Sequence, residues 1–564
     1  MNNRDVAELI EHLAQASELL GENPFKSRAY HRAARTLRGL EEPVVELVRH
    51  GKLGGLDGFG KALVEKVTTI VETGELPQLR RRMEELPAGL FDMLEIPGLG
   101  VKRVRALWEK LEITNLGELE YACLENRLLE LEGFGEKMQY KVLAGIEQLK
   151  RYRERRLYPE AEEAARELGA VLDDDPRVAR WAVVGSLRRH AETIGDIDLQ
   201  LQVTPEERSG VNRSLLTLDE SSTAVEESGD RLRFKYRGIP VEVRHTSPER
   251  WAAALVLNTG NADHREALLA RAAERDIELE SLDADDEAGV YAALDLDWVA
   301  PELREGLGEV EAAAAGELPE LIETVDIAGV LHVHTTASDG AQTLEELVET
   351  GVELGYAYIG VSDHSQAAFY ADGLSAQEIS AQLEEIKELN MRGGPCRLLS
   401  GTESDINADG SLDYPDEVLA RLDFVIASVH SNLAMDKDKA TERILAALDN
   451  PYCDILGHPT GRLLLAREGY ELDWDRVLER LVERRVALEL NASPMRFDAD
   501  WRVLRRAREL GIPVTINPDA HNRGMFDFLP QGVGIARKGW LRPGDVLNTR
   551  SAEELLAWIR SRRP

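Results

Sequence analysis

Residues 329–340 read GVLHVHTTASDG, with two histidines one residue apart in an apolar, β-prone run. In an extended strand alternate side chains share a face, so Val330, His332 and His334 point the same way. Two neighbouring imidazoles on a buried face repel each other when charged and lack partners when neutral. A divalent cation resolves both difficulties, because neutral imidazole is the commonest protein ligand for such ions. Further histidines recur at or just after apolar runs: His364, His430, His458 and His521, accompanied by Asp339, Asp363, Glu403 and Asp519.

The positioning elements follow from the pattern. From 326 onward short strands (GVLHVHT, YAYIGVSDH, DFVIASVH, CDILGHP, VALELNA, PVTINPDAH) alternate with amphipathic helices. Such alternation builds a mostly parallel sheet, open or closed into a barrel, with functional groups at the carboxyl ends of the strands. Residues 157–247 are strand-rich: RWAVVGS, DIDLQLQV, RLRFKYR and IPVEVRH. There GSLRRHAETIGDIDLQ (185–200) sets Asp196 and Asp198 two apart, so that both carboxylates face one side and share divalent ions for displacement at phosphorus. The Gly185–Ser186 turn brings donors close to a triphosphate, and Arg189 adds charge-assisted contacts. Helical sequence resumes at 248 and ends in VEAAAAGELPELIETV, a junction, and the acidic DADDEAG at 283–289 is expected to be a solvated loop.

The first 156 residues read as short helices between glycine turns. LDGFGK (56–61), IPGLGV (96–101) and LEGFGE (131–136) repeat one pattern before an amphipathic helix. Gly58, Gly98 and Gly133 permit a tight hairpin, and Gly60, Gly100 and Gly135 let backbone N–H groups at the next helix start approach a phosphate. Elements of this kind grip a DNA backbone without reading its sequence.

Bulk composition sets bounds. The 564 residues suffice for three or four domains, and 43% hydrophobic content is that of a globular protein. A formal net charge of −35 is unlike that of a nucleic-acid binder, so DNA contacts have to be local, near basic runs such as Arg80–Arg82 and KRYRERR ending at Arg156. Cys123, Cys396 and Cys453 form no CxxC pair, which fits a reducing cytosol. No apolar run reaches about 18 residues. A soluble, cytoplasmic protein without a membrane partner is expected.

The histidine-rich part closely resembles the PHP (polymerase and histidinol phosphatase) domain, a distorted seven-stranded β/α barrel with a three-metal centre. The resemblance implies that His332, His334, Glu403 and Asp519 hold one metal, that Glu403 bridges to a second held by His430 and His458, and that Asp339, His364 and His521 hold a third. Zn²⁺ or Mn²⁺ suits such ligands, and phosphoester hydrolysis is the chemistry. Arg462 and Arg496 are weaker expectations for holding phosphate.

The middle looks like the palm of a family X DNA polymerase, within the nucleotidyltransferase fold. That implies Gly185, Ser186 and Arg189 for the incoming nucleoside triphosphate, with Thr259 and Gly260 beside it, and Asp196 and Asp198 for two Mg²⁺ or Mn²⁺ ions. Glu242 stands where the family has aspartate. Leu257 and Asn258 replace its aromatic pair, and Arg265 an asparagine. The front resembles the family's amino-terminal domain, implying a 5′-phosphate pocket at Lys26, Tyr30 and Lys61, with Lys66 at the Schiff-base position. The whole resembles a bacterial family X polymerase with a carboxy-terminal PHP domain. It is a multidomain α and α/β chain: 1–85 lyase-like, 86–156 fingers with two further hairpins, 157–247 palm, 248–315 thumb, 316–325 linker and 326–564 PHP. Expected partners are gapped or primer–template DNA and deoxynucleoside triphosphates.

Overall fold

The computed structural model describes residues 2–40, 42–56, 58–87, 89–124, 127–131, 133–218 and 224–564. Asp57 and Glu132, the second residues of two of the hairpin segments, lie outside them. Two compact units result, Met1–Glu154 and Arg155–Pro564.

The first unit is helical. Its opening helix, Asn3–Leu19, starts from a capping box between Asn2 and Asp5 and buries Val6, Ile10 and Leu13 at helical spacing. The three glycine segments share one geometry. The carbonyls of Leu56, Ile96 and Leu131 accept from the N–H groups of Phe59 (3.1 Å), Leu99 (3.0 Å) and Phe134 (3.1 Å), and those three side chains are buried. Gly58, Gly98 and Gly133 take φ of 80°, 91° and 85°, a region that L side chains enter only at a cost. Gly60 and Gly100 cap the helices Lys61–Thr73 and Val101–Leu111, and Gly135 precedes the helix Glu136–Glu154. A Cβ added at Gly60, Gly100 or Gly135 would meet open space among the described residues, so these backbones can be approached from that side.

The second unit begins with strands β1 (Arg156–Leu157), β2 (Arg180–Val184), β3 (Thr193–Ile194), β4 (Ile197–Gln202), β5 (Ala224–Ser228), β6 (Arg231–Tyr236) and β7 (Ile239–His245). β1 and β3 pair with each other. The rest form a sheet of order β2-β4-β7-β6-β5, antiparallel except for β4 and β7. Strict alternation in RLRFKY buries Leu232, Phe234 and Tyr236 and leaves the basic residues outside. The helices Trp251–Thr259 and Ala262–Ala273 follow. They belong to a core that Trp540, from the far end of the chain, helps to fill.

The last part is built on β8 (Gly329–Val333), β9 (Tyr358–Val361), β10 (Arg397–Ser400), β11 (Glu403–Asp405), β12 (Ile426–Ser428), β13 (Ile455–Leu456), β14 (Ala487–Asn491) and β15 (Val514–Asn517). Parallel pairing runs β10-β9-β8 and β11-β12-β13-β14-β15. Parallel bridges Val333–Ala520 and His364–Glu403 join these sheets at both seams. Because β10 runs on into β11, the ring counts as seven strands among the described residues, with helices outside.

Three features differ from the sequence expectations. β5, β10, β11 and the two-residue strands β1 and β3 are additional to the expected strands, β10 and β11 because RLLSGTESD mixes small polar residues with apolar ones. The stretch 283–289 is not simply a solvated loop: Asp286 caps the helix Glu287–Ala293, and Glu287 is buried against Arg188 and Arg304. The segment 316–325 is also packed down, with Ile322 buried and its backbone bonded to Leu541 and Arg537.

Candidate metal centre and nucleotidyl-transfer site

The barrel strands deliver their ligand-type side chains to one rim. His334 follows β8, His364 follows β9, Glu403 opens β11, His430 follows β12, His458 follows β13, and Asp519 and His521 follow β15. Glu403, 1% exposed, sits at the middle. One of its oxygens lies 2.8 Å from His458 Nε2, 3.2 Å from His430 Nε2 and 3.3 Å from His332 Nε2; the other lies 3.0 Å from His364 Nδ1. Asp519 Oδ1 is 3.1 Å from His334 Nε2 and 3.4 Å from His332 Nε2. Asp339 meets His364 Nε2 at 3.6 Å and His521 Nε2 at 3.4 Å. The nine side chains singled out from sequence thus converge, in overlapping groups able to hold ions: His332, His334 and Asp519; His332, Glu403 and His458; His364, Glu403 and His430; and His334, Asp339, His364 and His521.

The donor set fits a divalent cation. His332 Nδ1 bonds Glu489 Oε1 at 2.7 Å, while its buried Nε2 faces Glu403 and Asp519 at 3.3 and 3.4 Å without a well-aligned hydrogen bond among the described residues. A carboxylate behind the far nitrogen of an inward-aimed imidazole is how metal-bound histidines are oriented. Protons alone leave the site electrostatically divided. Burial pushes His334 down to about 4. At His364 and His430 burial is outweighed by the Glu403 charge with Asp339 and Asp405, which hold them up at about 10 and about 9. Cations in place of protons remove that conflict.

Glu489 was missed. It bonds His332, the His458 N–H (2.8 Å) and Asn517 Nδ2 (2.9 Å), fixing three strands. Its signal was in the sequence: Glu489 and Asn491 alternate with Leu488 and Leu490, the same polar period as His332 and His334. Asn491 Nδ2 donates to Asp519 at 3.0 Å. Asp363 turns away from the cluster instead, accepting from Thr335 N–H (2.7 Å) and hydroxyl (2.6 Å), Ser338 (2.5 Å) and Gln382 (2.6 Å). Arg496 stands at the rim, 3.9 Å from Asp519. Arg462 does not offer free donors there, a correction to the phosphate expectation. It is spent on Glu192, Asp500 and the Arg496 and Phe497 carbonyls.

In the palm, Asp196 lies just before β4, Asp198 lies on it, and Glu242 is the register partner of Asp198 on β7. Burial, with the Asp196 charge beside it, pushes Asp198 up to about 6. Glu242 is nearly enclosed by arginines, 2.8 Å from Arg233 Nε and 2.6 Å from Arg244 Nε; these bonds outweigh burial and hold it below its ordinary value. Arg244 also reaches Asp198 at 3.6 Å. Gly185 has φ 66°, and a Cβ there would fall within the Asp198 carboxylate. Ser186 follows in the same short helix, Gly185–Arg188. Arg189 donates to the Thr259 carbonyl (2.7 Å) and to Glu305 (2.9 Å), while Arg188 takes the Thr259 hydroxyl (2.8 Å). Gly260 ends the helix Trp251–Thr259. Asn258 bridges Arg244 and Gln200, and with Leu257, Arg265, Arg208, Arg231 and Arg250 it lines a basic cleft of about 480 Å³.

In the helical unit Lys66 lies 5.9 Å from the Tyr30 ring centre, and burial with the Arg82 charge lowers its amine. Lys26 adds to that lowering, and Lys61 begins the helix after Gly60.

A ring of parallel strands with a histidine–carboxylate rim, beside a carboxylate-bearing mixed sheet, defines a PHP barrel joined to a nucleotidyltransferase-like palm. Similarity to known proteins agrees. Residues 1–76 match a helix-hairpin-helix domain and residues 331–493 the PHP domain. The DNA polymerase/3′-5′ exonuclease PolX of Bacillus subtilis (strain 168) is 35% identical, over 99% of this chain and 100% of that protein. Probable phosphatases match a part of the chain, two of them as follows. That of Caldanaerobacter subterraneus subsp. tengcongensis is 29% identical over 35% of this chain and 78% of its own. That of Vibrio campbellii is 29% identical over 41% and 93%. The chain belongs to the family X DNA polymerase/3′-5′ exonucleases of the PolX type.

Proposed function

We propose that this protein is a cytoplasmic DNA repair polymerase that fills short gaps by template-directed nucleotidyl transfer to a primer 3′-OH, and that its barrel processes ends as a 3′→5′ exonuclease and phosphoesterase. The observation that carries the reading is the His332–Glu403–Asp519 cluster with its overlapping groups, on a chain that also bears the Asp196/Asp198 pair. Bound Mg²⁺ or Mn²⁺ in the palm, and up to three Zn²⁺ or Mn²⁺ ions in the barrel, would stabilise charge on phosphoryl oxygens and lower the pKa of water. The protein's own part is positional. Asp196 and Asp198 present their carboxylates from one strand end, and Gly185 lets the nucleotide turn approach them. The barrel histidines converge on Glu403, and Arg496 offers a cationic group beside Asp519 for a substrate phosphate. The three hairpins supply N–H groups for DNA phosphates, and Lys66, with its lowered amine, is the nucleophile of any lyase step.

A second reading has a specific observation behind it. Glu242 is neutralised by Arg233 and Arg244, which fits a DNA-binding nuclease or repair scaffold with a weak palm. One experiment separates them. The protein is incubated with a one-nucleotide-gapped duplex and Mn²⁺ or Mg²⁺, with or without nucleotides, beside Asp196→Ala and His332→Ala. Extension should vanish in the first variant and degradation in the second; degradation with no extension by the unaltered protein favours the scaffold.

A further inference from the structure

Arg462 follows His458 by four residues on the loop after β13. Its Nε donates to the Arg496 carbonyl at 2.8 Å, NH2 to the Phe497 carbonyl and NH1 to Asp500 at 3.3 Å, so one guanidinium ties the loop 458–467 to the loop 493–500. Asp498 strengthens that tie by accepting from the Thr460 N–H (3.0 Å) and hydroxyl (2.9 Å). These are the loops that carry His458 and Arg496 at the barrel rim.

The same NH2 group leaves the barrel and pairs with Glu192 of the palm. Both side chains are mostly buried, 15% and 17% exposed, so the pair is not a screened surface contact. Glu192 stands between the Gly185–Arg188 turn and Asp196. Part of the segment between them meets the barrel, and the rest is held within the palm. His190 stacks on Tyr158 at 4.4 Å and lies against Gly534, where no side chain would fit. The Arg189 carbonyl accepts from Lys538 (3.1 Å), which also pairs with Glu305, the carboxylate that holds Arg189. Thr193 and Ile194 then pair with β1, and Asp196 follows.

We propose that Glu192 and Arg462 are positioning residues that link the two centres: the palm carboxylate fixes the barrel rim loops through Arg462, and the barrel guanidinium fixes the approach to Asp196 through Glu192. The link rests on the reading of both centres given above. A buried pair of this kind costs desolvation, here it joins the two sets of loops, and small misplacements of catalytic groups lower turnover steeply.

The test uses Glu192→Gln, Arg462→Gln and the double variant in the full-length protein, with hydrolysis of bis(p-nitrophenyl) phosphate and single-nucleotide gap filling read on each, per folded molecule as judged by thermal unfolding. Glu192→Gln alters only the palm. It should nevertheless lower kcat for the small diester by roughly tenfold with KM within about twofold, and Arg462→Gln should lower the rate of gap filling. The double variant should lose little more than the worse single one, since the two act as one unit. Unchanged diester turnover in folded Glu192→Gln, or losses that simply add, would overturn the link. An unaltered protein without diester hydrolysis would instead remove the reading of the barrel on which the link depends.

Discussion

His332 and Glu489 lie 2.7 Å apart, Nδ1 to Oε1, with both side chains fully buried and 157 positions apart in the chain. The contact fixes which imidazole nitrogen carries a proton and leaves Nε2 aimed at Glu403 and Asp519. Replacing Glu489 by Gln keeps the shape and weakens that orientation. Affinity for Zn²⁺ or Mn²⁺ should fall by about 10–100-fold, seen by titrating metal-depleted protein, with hydrolysis partly restored at high metal concentration.

Gly185 tests the palm in the same way. At φ 66°, with the Asp198 carboxylate against its Cα, Gly185→Ala meets both backbone strain and a clash. Displacement of Asp198 by about an ångström should lower gap-filling turnover on the order of 100-fold. Single-turnover incorporation on a gapped duplex measures it.

Stability against acid should report Glu287. It takes a two-pronged bond from Arg188 (2.9 and 2.7 Å) and another from Arg304 (2.7 Å). Burial pushes its carboxyl up, but these arginines outweigh that and hold it down at about 2, against 4.5 when free. A depressed acid stabilises the fold fully above about pH 4.5 and loses that contribution as pH falls toward 2. The contribution is on the order of 3 kcal/mol at pH 7. Comparing urea unfolding of Glu287→Gln with the parent, the gap between them should be widest at pH 7 and shrink below pH 4.5.

The hairpin glycines predict a change in DNA binding without a change in sequence preference. Gly98→Ala and Gly133→Ala place a Cβ at φ near 90°, at a cost of about 1–2 kcal/mol. Affinity for gapped duplex should fall equally across sequences, and the slope of log affinity against log salt should lessen by roughly one for each phosphate no longer held. Fluorescence anisotropy at several salt concentrations reads both.

Much of the site was legible because strand alternation is local. The spacing of His332 and His334, the paired Asp196 and Asp198, and the repeated hairpin glycines each declare a shared face or a required turn within a few residues. Partners set by distant chain were not legible. Arg189 and Arg462 both read as phosphate-facing cations, yet Arg189 donates to Glu305 and the Thr259 carbonyl, and Arg462 to Glu192 and the Arg496 carbonyl, all more than thirty residues away. Glu287 read as part of a solvated acidic run, and only the approach of Arg188 and Arg304 buries it.

By itself, then, the sequence determined the periodicities, the turns and the kinds of chemistry available: a metal-binding rim, a carboxylate strand, a helical grip. Tertiary structure alone decided which charges meet, because an ion pair depends on where two remote backbones come to lie, and no local pattern carries that distance. It is why the closing of the ring at Val333–Ala520, the support of His332 by Glu489 and the span from Glu192 to Arg462 emerge only in three dimensions.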